Sequence, residues 1–257
     1  MSFLSDRLKF AVGWALRHLL VSAIVVLGAA ALVFGLLYPA PWRSMLGIGG
    51  IFGLVMLVDL VCGPLLTLVL ASPHKSRRER WLDLSLVASI QLLALGYGLG
   101  SVYLARPVAL VFEVDRMVLV TANEVQVERL ESAPEGMRQL RRVGVHFAGT
   151  RTANSSQEYL RSLEQSLGGV SPAMRPDWWT PFDETRSKIL IRAKPLSVLI
   201  AKRPEQLKVL SAAASKTRIE LADLRYLPLT SSKSTDWTAL ISPAGDVVGF
   251  AHVDSFD

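Results

Sequence analysis

Residues 18–42 read HLLVSAIVVLGAAALVFGLLYPAPW, 25 consecutive positions between Arg17 and Arg43 without a formal charge. Crossing the hydrocarbon layer takes about 20 apolar helical residues, so this stretch alone makes the chain a membrane-protein candidate. Two further stretches follow. Ser44 to His74 is interrupted only by Asp59, and Leu84 to Ala105 supplies 22 residues between Asp83 and Arg106. The expectation is a membrane α-helical region of three transmembrane helices over residues 1–106, with spans near 18–38, 46–71 and 84–105. A mixed α+β domain is expected over residues 107–257. A cleaved signal peptide is the competing reading of the first stretch. Its apolar run is too long for an h-region, and Tyr38-Pro39-Ala40-Pro41-Trp42 is a poor cleavage site.

Composition agrees. The 257 residues are 51% hydrophobic and 19% charged, with a mean hydropathy of +0.35. This excludes intrinsic disorder, and the single cysteine, Cys62, excludes a disulfide scaffold. Of the net charge of +6, residues 1–106 carry +5 and the remainder +1, so no nucleic-acid surface is expected on the polar half. The basic residues also set an orientation. Arg7, Lys9 and Arg17 precede the first span, and Lys75, Arg77, Arg78 and Arg80 lie between the second and third, whereas Arg43 and Arg106 stand alone at the other ends. Positive residues stay cytoplasmic, so the N-terminus is expected inside and residues 107–257 outside. Trp14 and Trp81 then read as inner interface anchors, and Tyr38, Trp42 and Tyr103 as outer ones.

In the polar half, Val108–Val114 and Met117–Thr121 are β-rich runs joined through Asp115-Arg116 as a hairpin. Ser155-x-x-Glu158 is a capping box opening a helix with apolar positions Tyr159, Leu160, Leu163 and Leu167, closed by Gly168-Gly169. Helices are expected near Asp183–Ala193 and Pro204–Ala214, and strands at Leu224–Leu229, Thr238–Ile241 and Val247–Val253.

The intramembrane residues carry the sharpest expectations. Asp59 lies roughly 18 Å into the second helix from Leu70–Ser72, at 1.5 Å per residue. An acid at that depth is paired, protonated or hydrated and usually faces the bundle interior. Counting from Leu84, the same depth falls near Gly96 and Tyr97, so the Tyr97 hydroxyl is a candidate donor, while Gln91 lies near the level of Gly63 and Thr67. A buried structural hydrogen bond and a contact to a client helix both fit Asp59. Pro64 removes a backbone donor, so a kink beside Gly63 is expected. Gly49-x-x-x-Gly53 and Gly96-x-x-x-Gly100 lie at matched depth and predict a close crossing of helices two and three; the alternative is that one strip stays free for a partner helix. Trp178-Trp179 reads either as core or as an exposed contact.

No catalytic motif emerges. His18, His74, His146 and His252 are dispersed, and the chain has no Gly-x-Ser-x-Gly and no phosphate loop. No catalytic, cofactor-binding or metal-ligating residue is expected, nor a small-molecule substrate.

The run Asp59-Leu-Val-Cys-Gly-Pro-Leu-Leu-Thr-Leu-Val-Leu70 resembles the signature of bacterial type IV pilin accessory proteins, the TfpX/TfpZ family. Ser72-Pro73-His74-Lys75, Trp81-Leu-Asp-Leu84, Gln91, Ala94-Leu-Gly-Tyr-Gly98 and Tyr103-Leu-Ala-Arg-Pro-Val-Ala-Leu-Val-Phe112 continue the pattern in order. The match covers residues 40–121, with Tyr226-Leu-Pro228 in keeping. The resemblance implies a non-enzymatic, chaperone-like protein of the bacterial inner membrane, with a periplasmic C-terminal domain, that binds the major type IV pilin and modulates its stability or assembly. It supplies no catalytic residues. Asp59, Gly63, Pro64, Thr67, Gln91, Gly96, Tyr97 and Gly100 are the candidate partner-binding or bundle-core positions. A membrane-anchored enzyme modifying an envelope substrate, with Asp183, Glu184 and His146 as its groups, is the alternative, and a sensor or transporter subunit a third.

Overall fold

The computed structural model describes residues 2–256; Met1 and Asp257 lie outside the described residues. The chain divides after Leu104 into two compact units.

The first unit is helical. Helix α1 (Ser2–Leu32) continues through a π-helical turn at Val33–Leu37, and the short α2 (Trp42–Met45) leads into α3 (Ile48–Leu70) and α4 (Arg77–Leu104). Asp6–Leu37, Ile48–Leu70 and Arg77–Leu104 are each long and apolar enough to cross a membrane. The helices outrun the apolar stretches because a backbone helix does not stop where charges begin. Helix α4 starts seven residues before Leu84 because Ser76 and Glu79 form a reciprocal cap. The Ser76 amide donates to Glu79 Oε2 at 2.8 Å, and the Glu79 amide donates to Ser76 Oγ at 3.2 Å. Lys75 Nζ donates to the terminal Leu70 carbonyl at 3.0 Å and to Asp83 at 2.6 Å, tying the end of α3 to α4.

Each helix turns one narrow stripe inward. On α1 and its π turn it is Ala11, Ser22, Val26, Ala29, Val33 and Leu37, at steps of three, four or their sums. On α3 the stripe is Phe52, Asp59, Gly63 and Thr67, and on α4 it is Val87, Leu95 and Val102. Helix α3 packs against both α1 and α4. The large apolar side chains, such as Leu20, Leu27, Leu57, Leu65 and Leu93, point outward. The few polar groups of the bundle, Ser22, Asp59 and Thr67, lie on these inward stripes among apolar side chains, where lipid does not reach them. Tyr38 and Trp42 are buried, against their expected place as lipid-interface anchors. The Tyr38 hydroxyl donates to the Val102 carbonyl at 2.9 Å, so this ring serves helix packing.

The second unit is a mixed eight-stranded sheet of order β4-β3-β1-β2-β6-β7-β8, with β5 pairing beside β6. Its strands are β1 (Pro107–Glu113), β2 (Arg116–Thr121), β3 (His146–Thr150), β4 (Trp179–Pro181), β5 (Lys194–Pro195), β6 (Arg225–Ser231), β7 (Trp237–Ile241) and β8 (Val247–Ala251). The hairpin turns at Val114-Asp115, one residue earlier than expected, with Val114 at φ 57°. Strand β1 is central: it pairs antiparallel with β2 and parallel with β3, and its continuous apolar run is buried on both faces. Helices α5 (Ser156–Leu167), α6 (Phe182–Arg192), α7 (Leu196–Lys202) and α8 (Leu207–Ser215) complete the unit. One core gathers Val108, Val111, Val120, Ala148 and Trp179, and a second gathers Leu196, Leu199, Leu210, Tyr226 and Leu240. Trp178 is buried too, so both tryptophans belong to the interior.

Candidate functional site

The polar residues of the three inward stripes meet. Gln91 of α4 donates its Nε2 to the Asp59 carbonyl of α3 at 2.8 Å, which turns Oε1 toward α1. That oxygen lies 2.7 Å from His18 Nε2, and His18 Nδ1 lies 2.6 Å from Thr67 Oγ1. An amide oxygen cannot donate, so the Nε2–H of His18 donates to Gln91 Oε1, while Nδ1 and the Thr67 hydroxyl share the second hydrogen bond. Gly63 makes room for this bridge, since a Cβ there would overlap the Gln91 amide. One node thus joins all three helices through side chains that would each be costly alone in hydrocarbon.

Of the sequence candidates, Asp59, Gly63, Thr67 and Gln91 come together, with Pro64 beside them inside an unbroken α3. His18 is the member that sequence reading passed over. It stands at the first position of the uncharged stretch and looked like a boundary residue; its position on the α1 stripe, one turn before Ser22, was the available signal. The Asp59 carboxyl is buried, with Oδ2 making no hydrogen bond among the described residues.

The expected partnership of Asp59 with Tyr97 does not form: Tyr97 is 81% exposed on the outer face of α4. Nor do the two glycine pairs mark a crossing. A Cβ at Gly49, Gly53, Gly96 or Gly100 would meet nothing within 4 Å. The close approach of α3 and α4 falls instead at Gly63 against Gln91 and at Gly98, whose Cβ would come 3.1 Å from Val55. Gly96, Tyr97 and Gly100 therefore form an outward strip. Cys62 also faces outward, not into the bundle.

In the sheet unit, the most constrained group is Arg175, buried between α5 and Trp178. It donates to Gln165 Oε1 and Ser162 Oγ, each at 2.5 Å, and lies 4.6 Å from the Trp178 ring centre. Arg151 covers the same ring at 4.4 Å and pairs with Glu158 at 2.6 Å, which holds the Glu158 carboxyl down at about 2. His146 is buried against the Gln139 carbonyl at 3.1 Å, and burial lowers its pKa. Asp183 pairs with Arg186 at 2.9 Å. Among the described residues no hydrogen bond joins His146, Asp183 and Glu184.

These features define a class: a bundle of three membrane-compatible helices with a polar internal node, carrying a mixed α/β sheet domain. Comparison with known proteins then places the chain. It is 32% identical over 253 residues to the fimbrial assembly protein of serogroup E1 of Dichelobacter nodosus, covering 98% of both chains, and equally so to that of serogroup I. It is 39% identical over 128 residues to the fimbrial assembly protein of serogroups C1 and C2, which spans half of this chain. The family model for the fimbrial assembly protein FimB matches residues 6–47. The chain belongs to the fimbrial assembly protein family, in agreement with its resemblance to type IV pilin accessory proteins. No solved structure matches it.

Proposed function

We propose that this chain is an inner-membrane pilus-assembly factor that binds the major pilin and modulates its stability or assembly, chaperone-like and without catalysing a reaction. The observation that carries this reading is the outward strip Gly96, Tyr97 and Gly100, where a Cβ on either glycine would meet nothing within 4 Å and the Tyr97 ring is exposed. Small residues four apart let a second helix approach closely, and in lipid that packing is a principal source of association energy. An apolar client helix fits this strip. The polar node lies inside the bundle and holds α4 in the rotation that presents it.

Two measurements test the proposal in membranes containing the pilin. A photocrosslinker at Tyr97 is expected to capture pilin, and one at the half-buried, inward-turned Gln91 is not. Gly96→Leu with Gly100→Leu should abolish capture while protein level and protease resistance stay normal, because both side chains enter open space. Pilin capture that is indifferent to these substitutions would remove the strip from the account.

A further inference from the structure

At the basic end of the helical unit, α1 and α4 leave a cleft of about 180 Å³, bordered by Trp14 of α1 and by Arg77, Arg80, Trp81 and Leu84 of α4. Arg77 and Arg80 stand three residues apart in the first turn of α4, on one face of the helix, so both side chains border the same space. Arg80 is half-buried, with its guanidinium carbon 5.3 Å from the centre of the Phe10 ring of α1. Arg17 brings a third guanidinium to 5.5 Å from the Trp14 ring centre. Behind the cleft, Trp14, Arg80 and Leu84 also border a narrow hollow floored by Leu70 and Ala71, so all three long helices shape the place.

These cations lack a counter-ion. Among the described residues none of Arg17, Arg77 and Arg80 forms an ion pair with a carboxylate. The two acids of the same segment are engaged elsewhere: Glu79 accepts from the Ser76 amide at 2.8 Å, and Asp83 holds Lys75 at 2.6 Å. Neighbouring like charges repel, and an anion seated between them relieves the repulsion. The level of the cleft says which anion. Leu84 opens the 22-residue uncharged stretch that ends at Ala105, and Arg80 lies about 6 Å before it at 1.5 Å per residue. The cleft therefore straddles the boundary of the hydrocarbon layer, with guanidiniums on its polar side and Leu84 and the 67%-exposed Trp81 on its apolar side.

We infer that this cleft binds one anionic phospholipid, its phosphodiester held between Arg77 and Arg80 and its acyl chains lying along Trp81 and Leu84. The planar guanidinium matches two phosphate oxygens at once, and basic pockets between membrane helices are suited to such headgroups. A zwitterionic lipid brings its own ammonium group to the same cations and is disfavoured. Arg78, in the same turn, does not border the cleft, which separates a built site from a merely basic surface. The site requires that the bundle sit in a membrane, in either orientation; it is independent of the pilin-binding reading.

The test uses the full-length protein in nonionic detergent micelles, with bound lipid counted by native mass spectrometry as phosphatidylglycerol or phosphatidylcholine is added. Saturable binding of one phosphatidylglycerol per chain is expected, roughly tenfold tighter than phosphatidylcholine. Glycerol 3-phosphate, the headgroup chemistry without acyl chains, should not displace it. Arg77→Gln and Arg80→Gln should each weaken phosphatidylglycerol about fivefold, and the double variant more than about tenfold. Arg78→Gln removes the same charge from the same turn and should leave the affinity within about twofold. Arg77 and Arg78 are both exposed, so comparing these two variants is free of any packing effect. Equal losses at Arg77 and Arg78 would mean a diffuse basic surface in place of a site. That result, equal affinity for the two lipids, or displacement of the lipid by glycerol 3-phosphate would each overturn the inference.

Discussion

At Gly63 an added Cβ would overlap the Gln91 amide, whose two ends already hold the Asp59 carbonyl and His18. Gly63→Ala therefore has to displace a group that two other helices use. Interhelical hydrogen bonds in membranes average about 0.6 kcal/mol each, so losing both and straining the packing should cost roughly 1–2 kcal/mol. Asp59→Leu should behave in the opposite way. Its Oδ2 gains nothing from the bundle, so removing the carboxyl leaves bundle stability unchanged or higher. Thermal unfolding of the two variants in micelles checks the contrast; a larger loss for Asp59→Leu would mean that the carboxylate has a partner. Depth along a helix was legible from residue counting, which is why Gln91, Gly63 and Thr67 were correctly placed at one level. Rotation about the helix was not. Tyr97 follows Gln91 by six residues, roughly 240° further round at 3.6 residues per turn, which turns it away from Asp59.

Helix α5 shows the same distinction one scale up. Its capping box and its glycine end are readable in sequence, and Ser155 Oγ accepts from the Glu158 amide at 3.2 Å as that signature requires. The apolar periodicity, however, points the wrong way for a core: Tyr159, Leu160, Leu163 and Leu167 are exposed, and Leu167 is 84% so. The helix is held by its polar face, through Ser162 and Gln165 on Arg175 and through Glu158 on Arg151. Periodicity reveals that a face exists but not which face the domain buries, and buried arginine partners have no local signature. Strand β3 was missed for a related reason. His146-Phe-Ala-Gly-Thr150 lacks alternation because Gly149 must admit Thr185 of α6, whose side chain fills the space of a Cβ. Two outcomes follow for α5. Leu160→Ser should leave unfolding midpoints within about 0.5 kcal/mol, whereas Arg175→Met should release the helix, seen as faster amide exchange over residues 156–167. Acid should loosen it too. The carboxyl of Glu158 titrates near 2 in the folded protein against 4.5 ordinarily, so its contribution is complete above about 4.5 and fades as pH falls toward 2. Glu158→Gln should flatten that part of the pH profile.

For the whole molecule, the proposed function requires that the bundle cross the membrane in one defined sense. The chain holds its basic residues in two places, Arg7, Lys9 and Arg17 before the first candidate span and Lys75, Arg77, Arg78 and Arg80 between the second and third. The two spans between them put these two segments on the same side, and by the short-loop charge rule the side proposed for them is the cytoplasm. The structure adds a reason for the second segment to stay together: Lys75 bridges the end of α3 to Asp83 of α4, and Arg80 lies over the Phe10 ring of α1 at 5.3 Å. These contacts draw on all three helices at the basic end, so the segment cannot be pulled through the bilayer without dismantling the bundle there. Alkaline phosphatase fused after Asp257 should consequently be active, since it folds only in the periplasm, and the same reporter after Ser76 inactive. Replacing Arg77, Arg78 and Arg80 together by Gln should lower the activity of the first fusion by letting part of the population invert, and adding Lys residues beside Arg43 should lower it further. Activity after Ser76 in the original chain would reverse the orientation and put the sheet domain on the cytoplasmic side.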